Sequence, residues 1–97
     1  MTSMEKKLTE NRLTEVKAAL SAKYRTVDLG GEKFFVATDG AFFRVGAFPG
    51  AMALVIEYAD TEQEARQNAL EDGDPFYLDA TTLDEMLRLM IAEIERC

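Results

Sequence analysis

The sequence predicts an α+β fold, with helices packed on one face of an antiparallel sheet. Three observations support this fold class: helix formers dominate both ends of the 97-residue chain, glycine-containing dipeptides divide its middle into short β-prone runs, and its last segment is strongly amphipathic. A chain of this length supports one hydrophobic core, so we expect residues 1–97 to form a single domain.

The first predicted element is an N-terminal helix over about Ser3 to Ala22, a segment rich in helix formers. Its apolar stripe has helical spacing and consists of Thr9, Leu13, Val16 and Leu20. We expect this stripe to face the core.

A four-stranded antiparallel meander follows the helix. Its turns are Gly30-Gly31, Asp39-Gly40 and Pro49-Gly50; the first two supply the positive φ angles that two-residue hairpins need, and Pro-Gly fits such a tight turn less well. The predicted strands are Tyr24 to Leu29, Glu32 to Thr38, Ala41 to Phe48 and Ala51 to Ala59.

Two-residue turns would also fix the register of the strands. They pair Val27 with Phe34, Val36 with Phe43, and Val45 with Leu54. The predicted core face is Val27, Phe34, Val36, Phe43, Val45, Leu54 and Ile56. The other face has Asp28 across from Lys33 and more apolar side chains than a solvated face needs, so either a helix covers part of it or it is an interaction surface. The candidates for that surface are Phe35, Phe42, Arg44, Phe48 and Val55.

The second half of the chain predicts a helix, a short strand and a C-terminal amphipathic helix. Asp60 or Thr61 can cap the first of these helices, with Gln63 or Glu64 completing a capping box. The strand is Phe76 to Leu78. The last helix starts with a second capping box and carries an apolar stripe; these residues are Thr82 with Glu85, and Leu83, Met86, Leu87, Met90, Ile91 and Ile94.

The residue types exclude several kinds of chemistry. The chain has no histidine, and its one cysteine is Cys97, so the usual general base, a disulfide and a thiol-rich metal site are all missing. An exposed terminal thiol could crosslink two chains on oxidation. The glycines do not form a phosphate-binding loop. We therefore expect no enzyme, no catalytic residues and no cofactor.

Charge and hydropathy limit the partners. Residues 1–50 carry 8 Lys or Arg against 6 Asp or Glu, whereas residues 51–97 carry 3 against 12. This acidity disfavours nucleic acid and favours a basic protein partner, although it can serve solubility alone. No apolar run is long enough to span a membrane and no signal peptide is evident, so we expect a cytoplasmic protein.

The densest acidic segment reads NALEDGDPFYLD, residues 68–79. It does not fit a calcium-binding EF-hand loop, because Leu70 occupies the third ligand position when counting starts at Asn68. The acidic-patch candidates for weak divalent-metal binding are Glu71, Asp72 and Asp74. The structural interpretation is a left-handed helix cap at Gly73, followed by a turn at Pro75.

These patterns favour a non-enzymatic module that binds a protein partner or associates with itself. The alternative is a weak binder of divalent metals or small ligands. In the order of its elements alone, the chain is similar to small acidic binding proteins such as bacterial secretion chaperones and toxin-neutralising immunity proteins. That resemblance implies a protein partner.

Overall fold

A computed structural model describes residues 3–96, so the expectation of a reactive thiol at Cys97 lies outside the described residues. The predicted α+β architecture is confirmed, with helices packed on an antiparallel sheet. In chain order the elements are α1 (Ser3–Lys23), β1 (Arg25–Leu29), β2 (Glu32–Val36), β3 (Phe42–Phe48), a 3₁₀ turn (Pro49–Ala51), β4 (Ala53–Ala59), α2 (Glu62–Arg66), β5 (Glu71–Asp72), β6 (Phe76–Tyr77) and α3 (Leu83–Ile94).

The sheet has the strand order β1-β2-β3-β4-β5, and β6 also pairs with β4. Every pair is antiparallel. Asp72 lies opposite Glu57, and Phe76 lies opposite Leu54. The segment from Asp72 to Phe76 therefore contains one residue more than the segment of β4 from Leu54 to Glu57. The extra residue makes a β-bulge. The predicted strand is confirmed at Phe76–Tyr77, and β5 was not predicted.

The main core lies between the sheet and the pair α1 and α3. Its buried members include Val16 and Leu20 of α1, Met86, Met90 and Ile94 of α3, and Phe35, Phe43, Val45, Leu54 and Ile56 of the sheet. The predicted stripes of both helices therefore face this core. Thr9 is also fully buried, and its hydroxyl donates a hydrogen bond to the Glu5 carbonyl oxygen at 2.8 Å, which satisfies the polar group.

The predicted register of the Asp39-Gly40 hairpin is wrong by one residue. Val36 pairs with Phe42 rather than Phe43, and the Ala37 amide donates to the Ala41 carbonyl oxygen at 2.8 Å. The loop thus has three residues, with Gly40 at φ 91° in the left-handed position. Since a slip of one residue exchanges the faces of a strand, this difference reassigns all of β1 and β2.

The reassignment changes the membership of the two sheet faces. Val27, Phe34 and Val36 lie on the face opposite the main core, so their predicted core-face positions are wrong. Phe35, which was predicted on the other face, lies in the main core and is buried against Phe43, with ring centroids 5.2 Å apart. We call the face opposite the main core the second face.

The other two turns were predicted with different success. The Gly30-Gly31 hairpin is confirmed, with Val27 opposite Phe34 and Asp28 opposite Lys33. At Pro49-Gly50 the chain forms a 3₁₀ turn that ends in the left-handed residue Met52. Val45 therefore pairs with Ile56, and the predicted partner Leu54 is wrong. Because this shift is of two residues, the faces of β3 and β4 are as predicted.

Helix α2 covers one end of the second face. There it closes a small core formed by Leu29, Phe34, Ala59 and Ala65. Thr61 caps the helix and forms a full capping box with Glu64, as predicted. The predicted cap at Gly73 is wrong, because the helix ends earlier, with Asn68 at φ 58°. The Asn68 amide donates to the Ala65 carbonyl and the Ala69 amide to the Glu64 carbonyl, which is a Schellman motif.

The start of α3 agrees with its predicted cap. The Thr82 hydroxyl oxygen accepts a hydrogen bond from the Glu85 amide at 3.2 Å, which is the first half of the predicted capping box. The Glu85 carboxylate lies 3.9 Å from the Arg88 guanidinium, one turn further along the helix. The long amphipathic helix is therefore positioned as the sequence predicts.

Candidate functional site

An acidic cleft of about 340 Å³ lies where the edge segment β5 meets the carboxyl end of α3. Residues of the loop after β2 and the residue that follows β4 also line this cleft. We define the acidic cleft by its six carboxylate residues, which are Asp39, Asp60, Glu71, Asp72, Asp74 and Glu93. All three acidic-patch candidates from the sequence, Glu71, Asp72 and Asp74, are therefore in one concave site.

The β-bulge shapes one wall of the acidic cleft. The Gly73 amide donates to the Ile56 carbonyl oxygen at 2.8 Å, so the edge segment stays bonded to β4 through the bulge. A Cβ at Gly73 would lie 2.5 Å from Glu93 Oε2 and 3.1 Å from Tyr58 Cε2. Gly73 thus has a different role from the predicted cap, because its missing side chain leaves room for the Glu93 carboxylate and the Tyr58 ring.

Glu93 is held in the wall of the cleft by a hydrogen bond from β4. The Tyr58 hydroxyl donates to Glu93 Oε2, and both residues line the acidic cleft. Tyr58 lies on β4 directly opposite Glu71. The phenol therefore links α3 to β4, the strand that pairs with the edge strand carrying Glu71 and Asp72.

The charge of the acidic cleft is poorly compensated by the protein itself. Within residues 3–96, none of the ion pairs includes any of the six carboxylates. Arg96 is the one cation in the cleft lining that the structure describes. The carboxyl end of α3 lies beside the cleft, and a helix carboxyl terminus adds negative potential. Such a site favours a cation.

The six carboxylates do not form a metal cage. Across the part of the chain that the structure describes, no three Asp, Glu or Cys side chains are grouped so that they could hold a metal ion. The cleft also has apolar walls, formed by Ala37, Ala41 and Ile94. Carboxylates spread around an apolar concavity suit an extended organic cation better than a compact ion.

Four of the five interaction-surface candidates lie on the second face, but most of them are covered. Phe42, Arg44, Phe48 and Val55 share that face, whereas Phe35 is in the main core. Val55 is buried and Phe42 packs on the small core beneath α2. Phe48 is 49% exposed. The predicted five-residue surface is therefore not formed as a unit.

Two exposed aromatic side chains, Phe48 and Tyr77, lie on the second face. Phe48 lies opposite Ala53, and Ala53 lies opposite Tyr77 on the next strand. Tyr77 is 44% exposed, and the sequence did not single it out. The pair lies at the end of the face away from α2.

Arg44 is a structural hub rather than a free binding group. Its guanidinium donates to Glu57 Oε1 at 3.0 Å, to Asn68 Oδ1 at 2.8 Å and to Glu32, and it lies 5.7 Å from the centroid of the Phe34 ring. Three elements of the second face are thereby connected through one side chain.

Tyr24 and Glu95 connect the ends of the two core helices. The Tyr24 hydroxyl donates to Glu95 Oε2 at 2.7 Å, and Lys23 Nζ lies 3.5 Å from the same oxygen. Burial, then the bond to Glu95, raises the pKa of Tyr24 above its ordinary value. The hydrogen bond from Tyr24 lowers the pKa of Glu95.

Sequence reasoning missed half of the acidic cleft. It considered Asp39 as a turn residue and Asp60 as a helix cap, and it assigned no role to Glu93. These residues are far apart in the chain, so local spacing gives no signal for their meeting. The acidic excess of residues 51–97 was the one indication available.

No protein-family model, curated protein or solved structure matches this chain. Between residues 3 and 96, none of the helices has the length and apolar character that crossing a bilayer would require. The acidic cleft and the second face are therefore the features from which a function can be inferred.

Proposed function

We propose that this protein is a non-enzymatic cytoplasmic binding module that receives a basic segment of a protein partner in the acidic cleft. One observation carries the proposal: six carboxylates line a single concavity and have no ion-pair partner within residues 3–96. Like charges around a cleft focus negative potential, so the site attracts a cationic group and repels phosphate backbones.

An arginine or lysine side chain fits this site in both shape and charge. Its methylene stem can lie on the apolar walls of Ala37, Ala41 and Ile94 while its charged end reaches the carboxylates. Arginine can bind two carboxylate oxygens at once, which favours arginine-containing segments. The cleft volume of about 340 Å³ is within the range of ligand sites.

Isothermal calorimetry with two synthetic peptides tests this function. The first peptide alternates arginine and serine over ten residues, and the control peptide has glutamate in place of each arginine. We expect the arginine peptide to bind, with an affinity that falls as salt is raised, because screening weakens charge attraction. Equal heats for the two peptides, or no heat for either, would contradict the proposal.

Self-association is the second candidate, and the exposed Phe48 and Tyr77 favour it. Two half-exposed aromatic rings on one sheet face are typical of the apolar centre of an interface. Light scattering at two protein concentrations, on the native chain and on Phe48→Asp, tests this candidate. A dimer that the substitution dissociates would support it, and a monomer at both concentrations would remove it.

Weak binding of divalent metals is the remaining alternative, and the spread of the carboxylates does not favour it. Calorimetry with Ca²⁺ and Mg²⁺ tests it directly. Heat at micromolar ion would show that the cleft is a metal site. Absence of heat at millimolar ion would leave the basic segment as the ligand to test.

A further inference from the structure

A second cleft lies within the sheet itself, where β2 and β3 diverge. Their pairing consists of Val36 with Phe42 and Phe35 with Phe43, and it continues no further. The Ala37 amide donates to the Ala41 carbonyl oxygen between these two strands. Residues two positions apart direct their backbone groups to the same side of a strand, so those of Lys33 and Val45 also point between β2 and β3. No strand pairing is formed at that position.

The divergence opens a cleft of about 590 Å³, which we call the split cleft. Its polar rim includes Lys17 and Ser21 of α1 together with Lys33 of β2. Phe35 and Val45 form an apolar floor. Gly46 has no side chain to fill the space, and a Cβ there would lie 2.7 Å from Glu57 Oε1.

The residues that line the split cleft carry three positive charges and two negative ones. Arg44 also lines it, but this side chain is paired with Glu32 and Glu57, which are the two carboxylates of the cleft. Lys17 and Lys33 take part in no ion pair among the described residues. Two lysines from different elements, neither of them in an ion pair among the described residues, thus line one cleft of a protein whose net charge is −7.

We infer that the split cleft binds a small carboxylate that carries a short apolar group. The carboxylate lies between the Lys17 and Lys33 ammonium groups, and the backbone edge between β2 and β3 offers further hydrogen bonds. The apolar group lies on the Phe35 and Val45 floor. Binding requires no basic partner in the acidic cleft, so this inference is independent of the proposed function.

Amide NMR spectra recorded during a titration with hexanoate test the inference. We expect saturable shifts of the Lys33 and Val45 amides, which line the split cleft, with a dissociation constant on the order of 1 mM. Acetate, which lacks the apolar group, should bind more weakly, and hexylammonium should not shift these amides. No saturable shift with hexanoate, or equal shifts with hexylammonium, would overturn the inference.

A matched pair of double variants locates the site. Lys17→Ala with Lys33→Ala should weaken hexanoate binding by about tenfold, the effect of losing about 1.4 kcal/mol. Lys6→Ala with Lys7→Ala removes the same charge from the exposed surface of α1 and should leave binding unchanged. All four lysines are exposed, so both variants should keep native amide dispersion. Equal binding by the two variants would contradict the assignment.

Discussion

Gly30 and Gly31 form the turn between β1 and β2, and they differ in their surroundings. Both have positive φ angles, of 63° and 83°. A Cβ at Gly30 would lie 3.1 Å from the Arg66 carbonyl oxygen, whereas a Cβ at Gly31 would meet nothing within 4 Å. A substitution at Gly31 therefore tests backbone strain alone, whereas a substitution at Gly30 also tests packing against the end of α2.

We predict that Gly30→Ala destabilises the protein more than Gly31→Ala does. Each change should cost about 1–2 kcal/mol, because an L-residue in the left-handed region is strained. Gly30→Ala should cost more, since the new methyl group presses on the backbone of Arg66. Urea unfolding of both variants measures the difference. Equal losses would mean that α2 does not pack on this turn as described.

The Tyr24–Glu95 hydrogen bond predicts a stability change at both ends of the pH scale. Because the pKa of Glu95 is lowered by folding, its stabilisation is present above its unfolded pKa and is lost as the pH falls through the folded pKa. Because the pKa of Tyr24 is raised, its stabilisation is present below its ordinary pKa of 10.0 and is lost at higher pH.

Glu95→Gln is the variant that tests this pH dependence. We expect native protein to exceed the variant in stability at neutral pH, and the difference to shrink as the solution is acidified below the ordinary range of glutamate. Thermal unfolding monitored by circular dichroism from pH 2 to pH 7, a range covering about the pKa values of carboxyl groups, provides the comparison. A difference that is constant with pH would show that the hydrogen bond has no ionic character.

At the scale of single residues, the sequence predicts those roles that depend on near neighbours in the chain. The Gly30-Gly31 turn and the Thr61 cap depend on neighbours within three positions, so their residue types identify them. Gly73 could not be assigned in the same way. Its role depends on Glu93, twenty positions later, and on a bulge in a strand that was itself unpredicted.

Arg44 joins three elements, and the strength of its two ion pairs should differ. The Arg44 and Glu57 side chains are 18% and 20% exposed, whereas that of Glu32 is 54% exposed. Double-mutant cycles should give a coupling of about 1.5–3 kcal/mol for Arg44 with Glu57, as for a hydrogen bond to a charged group. The coupling with Glu32 should be below about 1 kcal/mol, because solvent screens it.

Urea unfolding of Arg44→Ala, Glu57→Ala, Glu32→Ala and the two double variants supplies both cycles. The cycle with Glu32 is the internal control, because it contains the same arginine. A larger coupling for Glu32 than for Glu57 would contradict the description of Arg44 as a hub of the second face.

Apart from β5, the elements were predictable in type and order, whereas the register of the two later hairpins was not. An Asp-Gly pair can occupy a two-residue turn or, with Thr38, a three-residue loop in which Gly40 takes the left-handed position. The local sequence does not distinguish these two turns. Packing decides between the two turns, because the three-residue loop places Phe35 in the main core and Phe34 beneath α2.

At the scale of the whole molecule, the carboxylates of the acidic cleft repel one another. We predict that neutralising Glu71, Asp72 and Asp74 as Gln, Asn and Asn raises the melting temperature by a few degrees. Raising the salt concentration should stabilise the native protein more than this variant, since screening relieves the same repulsion. A fall in melting temperature at low salt would contradict this electrostatic account.

The acidity of the second half was evident from composition, and the cleft was not. Composition shows that residues 51–97 are acidic, but Asp39 comes from the first half and reaches the cleft only because β2 and β3 form a hairpin beside the end of α3. The split cleft was equally invisible, because it depends on where β2 and β3 stop pairing.

The most direct test of the proposed function compares two charge-matched triple variants in binding the arginine-serine peptide. The first variant is Glu71→Gln, Asp72→Asn and Asp74→Asn, within the acidic cleft; the second is Glu10→Gln, Glu15→Gln and Asp28→Asn, outside it. Both lose three negative charges, so their net charges are equal. We predict that calorimetry shows affinity reduced about tenfold or more in the first variant, the effect of about 1.4 kcal/mol, and nearly native affinity in the second. Equal affinities would show that the acidic cleft is not where a basic partner binds.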